Sequence, residues 1–99
     1  MVHVYQEVSI TTPGKYKIIA YFKRNADRGG LTPMLYYYNR DTLKTLTKQL
    51  NGAYAYKFTK GEFEFEITDV PTKKILIGAG IYSGVGELIV DDLALELVN

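Results

Sequence analysis

Ninety-nine residues with 46% hydrophobic content make one domain, 1–99, long enough to bury a core and too short for two. The formal net charge is +1 and the charges are spread along the chain, which gives no electrostatic case for nucleic acid or an anionic membrane. With no cysteine there is no disulfide framework and no thiolate chemistry. Met1 to Glu7 has neither a basic leader nor an apolar run, so no signal peptide or membrane span is expected.

Val2 to Thr11 alternates, with Val4, Val8 and Ile10 on one face and His3, Tyr5, Glu7 and Ser9 on the other. Thr11-Thr12-Pro13-Gly14 ends it with the residues of a type II turn. Lys15 to Arg24 is the next strand, Tyr16, Ile18, Ala20 and Phe22 facing the core while Lys17, Ile19, Tyr21 and Lys23 point away. Asn25 to Gly30 reads as a loop. Leu31 to Tyr38 resumes an extended pattern in which Tyr36 and Tyr38 share one face and Leu35 and Tyr37 the other.

Thr42 to Leu50 supports two readings. Leu43, Leu46 and Leu50 have helical spacing after an Asp41 N-cap, whereas the threonines favour an irregular strand. Tyr54 to Thr59 alternates with Tyr54, Tyr56 and Phe58 inward. Glu62 to Ile67 follows with Phe63, Phe65 and Ile67 inward, which suggests a hairpin turning at Lys60-Gly61. Asp69 to Thr72 breaks the chain, and Ile75 to Ile81 is another strand.

The closing stretch, Gly84 to Val98, is apolar and β-branched enough to read as a long buried strand. The period set by Ile89, Leu93, Leu95 and Leu97 puts Asp91 inward and Asp92 outward, unless the strand bulges there. An inward carboxylate needs a metal or several donors. Seven or eight short strands with regular turn signals predict an all-β antiparallel sandwich. Its expected core is Tyr16, Ile18, Phe22, Phe58, Phe63, Phe65, Ile77, Leu93 and Leu95.

Catalytic machinery is hard to assemble from these residues. His3 is the only histidine, so neither a His-rich metal site nor a nucleophile with a His base can form, and an enzyme is not expected. Glu62, Glu64 and Glu66 share a strand face, where a solvated charge row that discourages edge pairing is the simpler reading than a glycosidase carboxylate pair. Ile75 to Gly84 imitates a dinucleotide-binding turn, but too little chain follows it for a βαβ unit. Nine Tyr and no Trp leave the tyrosines as the distinctive chemistry, because a Tyr ring offers an apolar face and a polar end to a wet binding surface.

Two segments carry a resemblance. Gln6-Glu7-Val8 with Pro13-Gly14-Lys15-Tyr16-Lys17-Ile18 through Lys23, and Gly86-Glu87-Leu88-Ile89-Val90-Asp91-Asp92-Leu93-Ala94-Leu95, resemble the first strand pair and the closing strand of carbohydrate-binding modules of families four, nine and twenty-two. That resemblance implies a jelly-roll, galactose-binding-like sandwich. It also implies an outward aromatic at Tyr21 and a structural calcium shared by Asp91 and a strand region ahead of the Gln-containing strand. No such region precedes Val2 here, and one carboxylate is a poor calcium cage, so no cofactor is expected beyond that incomplete calcium site. Similar modules occur in virion proteins of tailed bacteriophages.

The sequence therefore suggests a non-catalytic module that binds glycan through Tyr21, Tyr36 and Tyr38, with Lys23 as an accessory donor and Tyr82 as a further candidate. The alternative is a phage virion structural protein, of the tail or a head accessory, that uses the same face for subunit or host attachment. Glycan or neighbouring virion subunits are the expected partners, in a virion or extracellular setting. Homo-oligomerisation is expected to cover the sheet edge that the missing strand region leaves open.

Overall fold

The computed structural model describes residues 3–27, 30–50 and 57–98. Seven strands follow one another: β1 (His3–Val8), β2 (Gly14–Asp27), β3 (Thr32–Asn39), β4 (Lys44–Gln49), β5 (Thr59–Ile67), β6 (Ile75–Ser83) and β7 (Gly86–Leu97). They form a four-stranded sheet, β1-β6-β3-β4, and a three-stranded sheet, β5-β2-β7, with every neighbouring pair antiparallel. The pairs β3–β4, β2–β5 and β1–β6 are nested, as when one long hairpin is folded over on itself, and β7 then returns beside β2. This is a β-sandwich, as the alternating pattern predicted.

Its core follows from that alternation. Ile18, Ala20 and Phe22 of β2, Leu35 and Tyr37 of β3, Phe65 and Ile67 of β5, and Ile75, Ile77 and Ala79 of β6 turn inward and are buried. Complete burial of side chains such as Phe22, Ile18 and Ile77 contributes about 1.5–3 kcal/mol each. The Phe65 ring stacks on Tyr37 at 4.3 Å between centroids and lies 6.1 Å from Tyr16, which joins the two sheets through aromatic contact. Tyr16 is buried, and its hydroxyl donates to the Thr12 carbonyl, so the ring's one polar atom is satisfied beside the β1–β2 connection.

Several expectations are corrected. Asn25 to Asp27 continue β2 and do not begin a loop. Between Thr42 and Leu50 the strand reading holds: β4 pairs with β3 along its whole length, and Leu46 is 44% exposed on this edge strand. The turn before it needs a left-handed residue, Leu43 at φ 57°, and Asn39 Oδ1 accepts from the backbone N–H groups of Asp41 and Thr42 at 2.9 and 3.3 Å. Gly14 has a positive φ, but at 149° it opens β2 and lies far from the roughly +80° of a type II turn.

No hairpin turns at Lys60-Gly61. Both lie inside β5, opposite Tyr21 and Ala20, and Gly61 faces the core, where a β-carbon would stand 2.7 Å from Leu50 Cδ1 and 3.0 Å from Phe22 Cε2. Phe58 precedes β5 and is 44% exposed, whereas the expected core had it buried. Phe63, Leu93 and Leu95 pack against the core while only partly buried. The expectation for Tyr54 and Tyr56 lies outside the described residues.

The closing strand is the largest correction. β7 is long but stands at the edge of its sheet, and the buried centre of that sheet is β2. Asp91 does not face inward. The pairing steps from Ile19↔Ala94 to Tyr21↔Asp91, so β7 spends an extra residue there, with Asp92 at φ 55°. The bulge resets the strand's parity. Val90 and Leu93 both pack on the core, Asp91 lies outward opposite Tyr21, and its Oδ1 accepts from the Asp92 backbone N–H at 3.0 Å.

Candidate functional site

Three of the candidate tyrosines come together on the outer face of the four-stranded sheet. Because Leu35 and Tyr37 face the core, the alternation of β3 turns Met34, Tyr36 and Tyr38 outward. On β6, Ile75, Ile77 and Ala79 face inward, which turns Leu76, Gly78, Gly80 and Tyr82 outward. The register then sets the rows across the sheet: Tyr5, Gly78, Tyr36 and Thr47 form one, and Glu7, Leu76, Tyr38 and Thr45 the next.

Met34, Tyr36, Tyr38, Thr45, Thr47, Leu76 and Tyr82 line an open groove of about 280 Å³. Gly78 shapes it. A β-carbon there would overlap the Cε1 and Cζ atoms of Tyr36, so only glycine lets that ring extend across β6. Tyr82 is 49% exposed, and Tyr5 beyond Gly78 is 58% exposed. Aromatic faces therefore alternate with the hydroxyls of Tyr and Thr along this surface. Burial first, and the neighbouring Tyr5 phenol second, push the Tyr36 hydroxyl above the ordinary phenolic value of 10.0, which keeps it a neutral donor around neutral pH. Arg40 Nη1 lies 3.6 Å from Glu7 Oε2, an exposed ion pair between the β3–β4 turn and β1.

Tyr21 and Lys23 are on the other sheet. Both point away from the core as expected, but their face is a charged ladder remote from the groove. Tyr21 is flanked by Lys60 and Asp91 across the strands, and Lys23 Nζ sits 5.8 Å from the centroid of the Phe58 ring. Lys15 and Lys17 stand opposite Glu66 and Glu64, while Glu62 meets Lys60 Nζ at 3.0 Å and Lys17 Nζ at 3.7 Å. The hydrogen bond from Lys60 lowers the Glu62 carboxyl below its ordinary range, and the same contact raises Lys60. The glutamate row is thus matched by lysines and does not form a carboxylate pair.

Asp91 is exposed at the β7 bulge, and no cluster of three or more His, Asp or Glu side chains able to hold a metal occurs among the described residues. One exposed carboxylate does not fit the calcium site that the resemblance implied. The glycines of Ile75 to Gly84 are used differently from a phosphate-binding turn: Gly78 and Gly80 sit within β6, and Gly84 has φ 95° and lies so close to the chain at Leu31 that a β-carbon on it would stand 2.5 Å from Leu31 Cα.

Sequence reasoning missed Met34, Thr45, Thr47, Leu76 and Gly78 as groove residues. The faces of Tyr36 and Tyr38 follow from period two, but the rows depend on register between strands far apart in the chain. No helix among the described residues is long and apolar enough to cross a membrane. Compared with models of known protein families and with curated proteins, the chain matches none.

Proposed function

We propose that this chain is a non-catalytic glycan-binding β-sandwich whose binding face is the outer surface of the four-stranded sheet, with Tyr36, Tyr38 and Tyr82 as the platform. The observation that carries the reading is the Tyr36 ring laid across Gly78 inside an open groove edged by Thr45 and Thr47. An aromatic ring stacks on the apolar CH face of a sugar, and short hydroxyl side chains beside it fix the sugar hydroxyls. The described groove-lining residues, Met34, Tyr36, Tyr38, Thr45, Thr47, Leu76 and Tyr82, carry no formal charge, which suits a neutral oligosaccharide. Tyr21 and Lys23 lie outside this platform.

A glycan array followed by titration calorimetry tests the reading. Tyr36→Ala and Tyr38→Ala are expected to weaken the selected oligosaccharide by about fivefold or more, equivalent to ~1 kcal/mol. Tyr21→Ala, on the opposite sheet, should leave the affinity unchanged. An array without a binder, or loss of affinity only with Tyr21→Ala, overturns it.

The second reading is a virion structural or attachment protein. Exposed edge strands favour it, since β4 and β7 each lack a second strand partner among the described residues. If Tyr36→Ala dissociates an oligomer and changes no glycan affinity, the groove is a subunit contact.

A further inference from the structure

The two sheets are unequal, and the extra strand overhangs an open side. β6 packs against β7 across the sandwich, so β1, next to β6 in the four-stranded sheet, lies beyond the β7 edge of the other. The core-facing side of β1 is identified by its partners: Val4, Gln6 and Val8 stand opposite Ala79, Ile77 and Ile75, all fully buried. Yet Val4 is 49% exposed, and Leu88, Val90, Leu93 and Leu95 of β7 are only partly buried. Apolar surface on both lips of this gap remains half covered.

The backbone of β7 points into the same gap. The Val98 N–H donates to Lys15 O at 2.7 Å, on the β2 side, so by the alternation of an antiparallel ladder Leu93, Leu95 and Leu97 present their N–H and C=O groups to the other side. No described strand pairs with them there. Gln6 reaches across the gap, its Nε2 donating to Leu93 O at 3.2 Å. A side-chain amide thus occupies one position of a ladder that an added strand would fill.

We infer that the outer edge of β7, beneath β1, accepts an extended segment of another protein chain, antiparallel to β7, with alternate apolar residues entering the gap and Lys or Arg on the opposite face. The apolar half of that pattern is set by Val4, Val90, Leu93 and Leu95. The basic half is set by β7 itself, whose sequence GELIVDDLALEL holds four acids and no Lys or Arg. Of these, Asp91 and Glu96 lie outward, opposite Tyr21 and Lys17.

Charge disfavours a second copy in the register that overlaps most of β7: two β7 strands paired antiparallel about the Asp91–Asp92 step would set Asp91 against the other copy's Asp92 and Glu87 against its Glu96, like charges directly opposed. β4 is basic, but its Lys44, Leu46 and Lys48 share one face and its other face is Thr45, Thr47 and Gln49, which cannot fill an apolar gap.

The test uses a blocked synthetic nonapeptide alternating Lys and Val, a matched peptide with Glu in place of Lys, and the Val4→Lys variant, whose inward charge should obstruct the gap while leaving the melting temperature near that of the parent. Binding of the Lys peptide should shift the amide signals of Leu93, Leu95 and Leu97 and slow their hydrogen exchange. The Glu peptide and the variant should each bind at least roughly tenfold more weakly. Equal binding of the two peptides, shifts confined to β4, no binding, or protection of these amides by self-association without peptide would each overturn the inference.

Discussion

Tyr36 and Gly78 are cross-strand neighbours, and the tyrosine ring fills the space in which a β-carbon on Gly78 would stand. The relationship makes a small residue on β6 responsible for the position of an aromatic on β3. Gly78→Ala is therefore expected to displace the ring from its place over β6. Since the obstructed atoms are at the far end of a side chain that can swing outward, the stability cost should stay near ~1 kcal/mol. Glycan affinity should fall toward that of Tyr36→Ala. A variant that binds with parental affinity would show that the ring's place over β6 is irrelevant to recognition; calorimetry beside a thermal melt separates the two effects.

The same kind of vacancy inside the core has the opposite consequence. Gly61 faces Leu50 Cδ1 and Phe22 Cε2, and Phe22 is fully buried, so its ring has no solvent to move into. Gly61→Ala should destabilise the fold by about 1–3 kcal/mol through overpacking, and Phe22→Ala by about 3–5 kcal/mol through loss of volume. Denaturant melts measure both. A neutral Gly61→Ala would mean that Leu50 can give way.

These two glycines show what was legible in the sequence and what was not. Period-two alternation places Ile18, Phe22, Phe65 and Ile77 in the core, because each strand's inner face must be apolar whatever it pairs with. It could not say that Gly78 meets Tyr36 or that Gly61 meets Phe22, since those meetings depend on register and on sheet-to-sheet packing. Lys60-Gly61 looked like a turn for the same reason: glycine marks close approach as well as reversal. The groove was half legible, Tyr36 and Tyr38 by their shared parity. Tyr21 joins them in the sequence through the family resemblance and its outward parity, and a linear pattern does not tell the outward faces of two different sheets apart.

Asp91 and Asp92 carry a third prediction. With Asp91 outward and exposed, Asp91→Ala should change stability by no more than about 0.5 kcal/mol, and calcium should not raise the melting temperature. Asp92 holds the bulge at φ 55°, where an L-residue other than Asn or Asp is strained, so Asp92→Ala should cost about 1 kcal/mol and Asp92→Gly should be close to neutral. A calcium-dependent rise in melting temperature would restore the inward carboxylate that the alternation suggested.

The last prediction concerns pH and the contact between Asp41 and Thr72. Both Asp41 oxygens face Thr72: Oδ2 accepts from its backbone N–H at 2.7 Å, and both accept from its hydroxyl at 3.1 Å. This ties the β3–β4 turn to the connection between β5 and β6, two segments far apart in the chain. The Thr72 backbone hydrogen bond is the largest cause holding the Asp41 carboxyl below its ordinary 3.8, with the Thr72 hydroxyl and Lys73 acting in the same direction. A carboxyl lowered on folding contributes stability that is fully present above its unfolded value and is lost as the pH falls through the folded one. Asp41→Asn removes the titration. The melting-temperature difference between parent and variant should therefore be constant above about pH 5 and should shrink as the solution is acidified below that carboxyl range. Circular dichroism melts from neutral to strongly acidic pH follow both proteins, and a difference that persists undiminished in strong acid would show that the charge of Asp41 is not what secures the two segments.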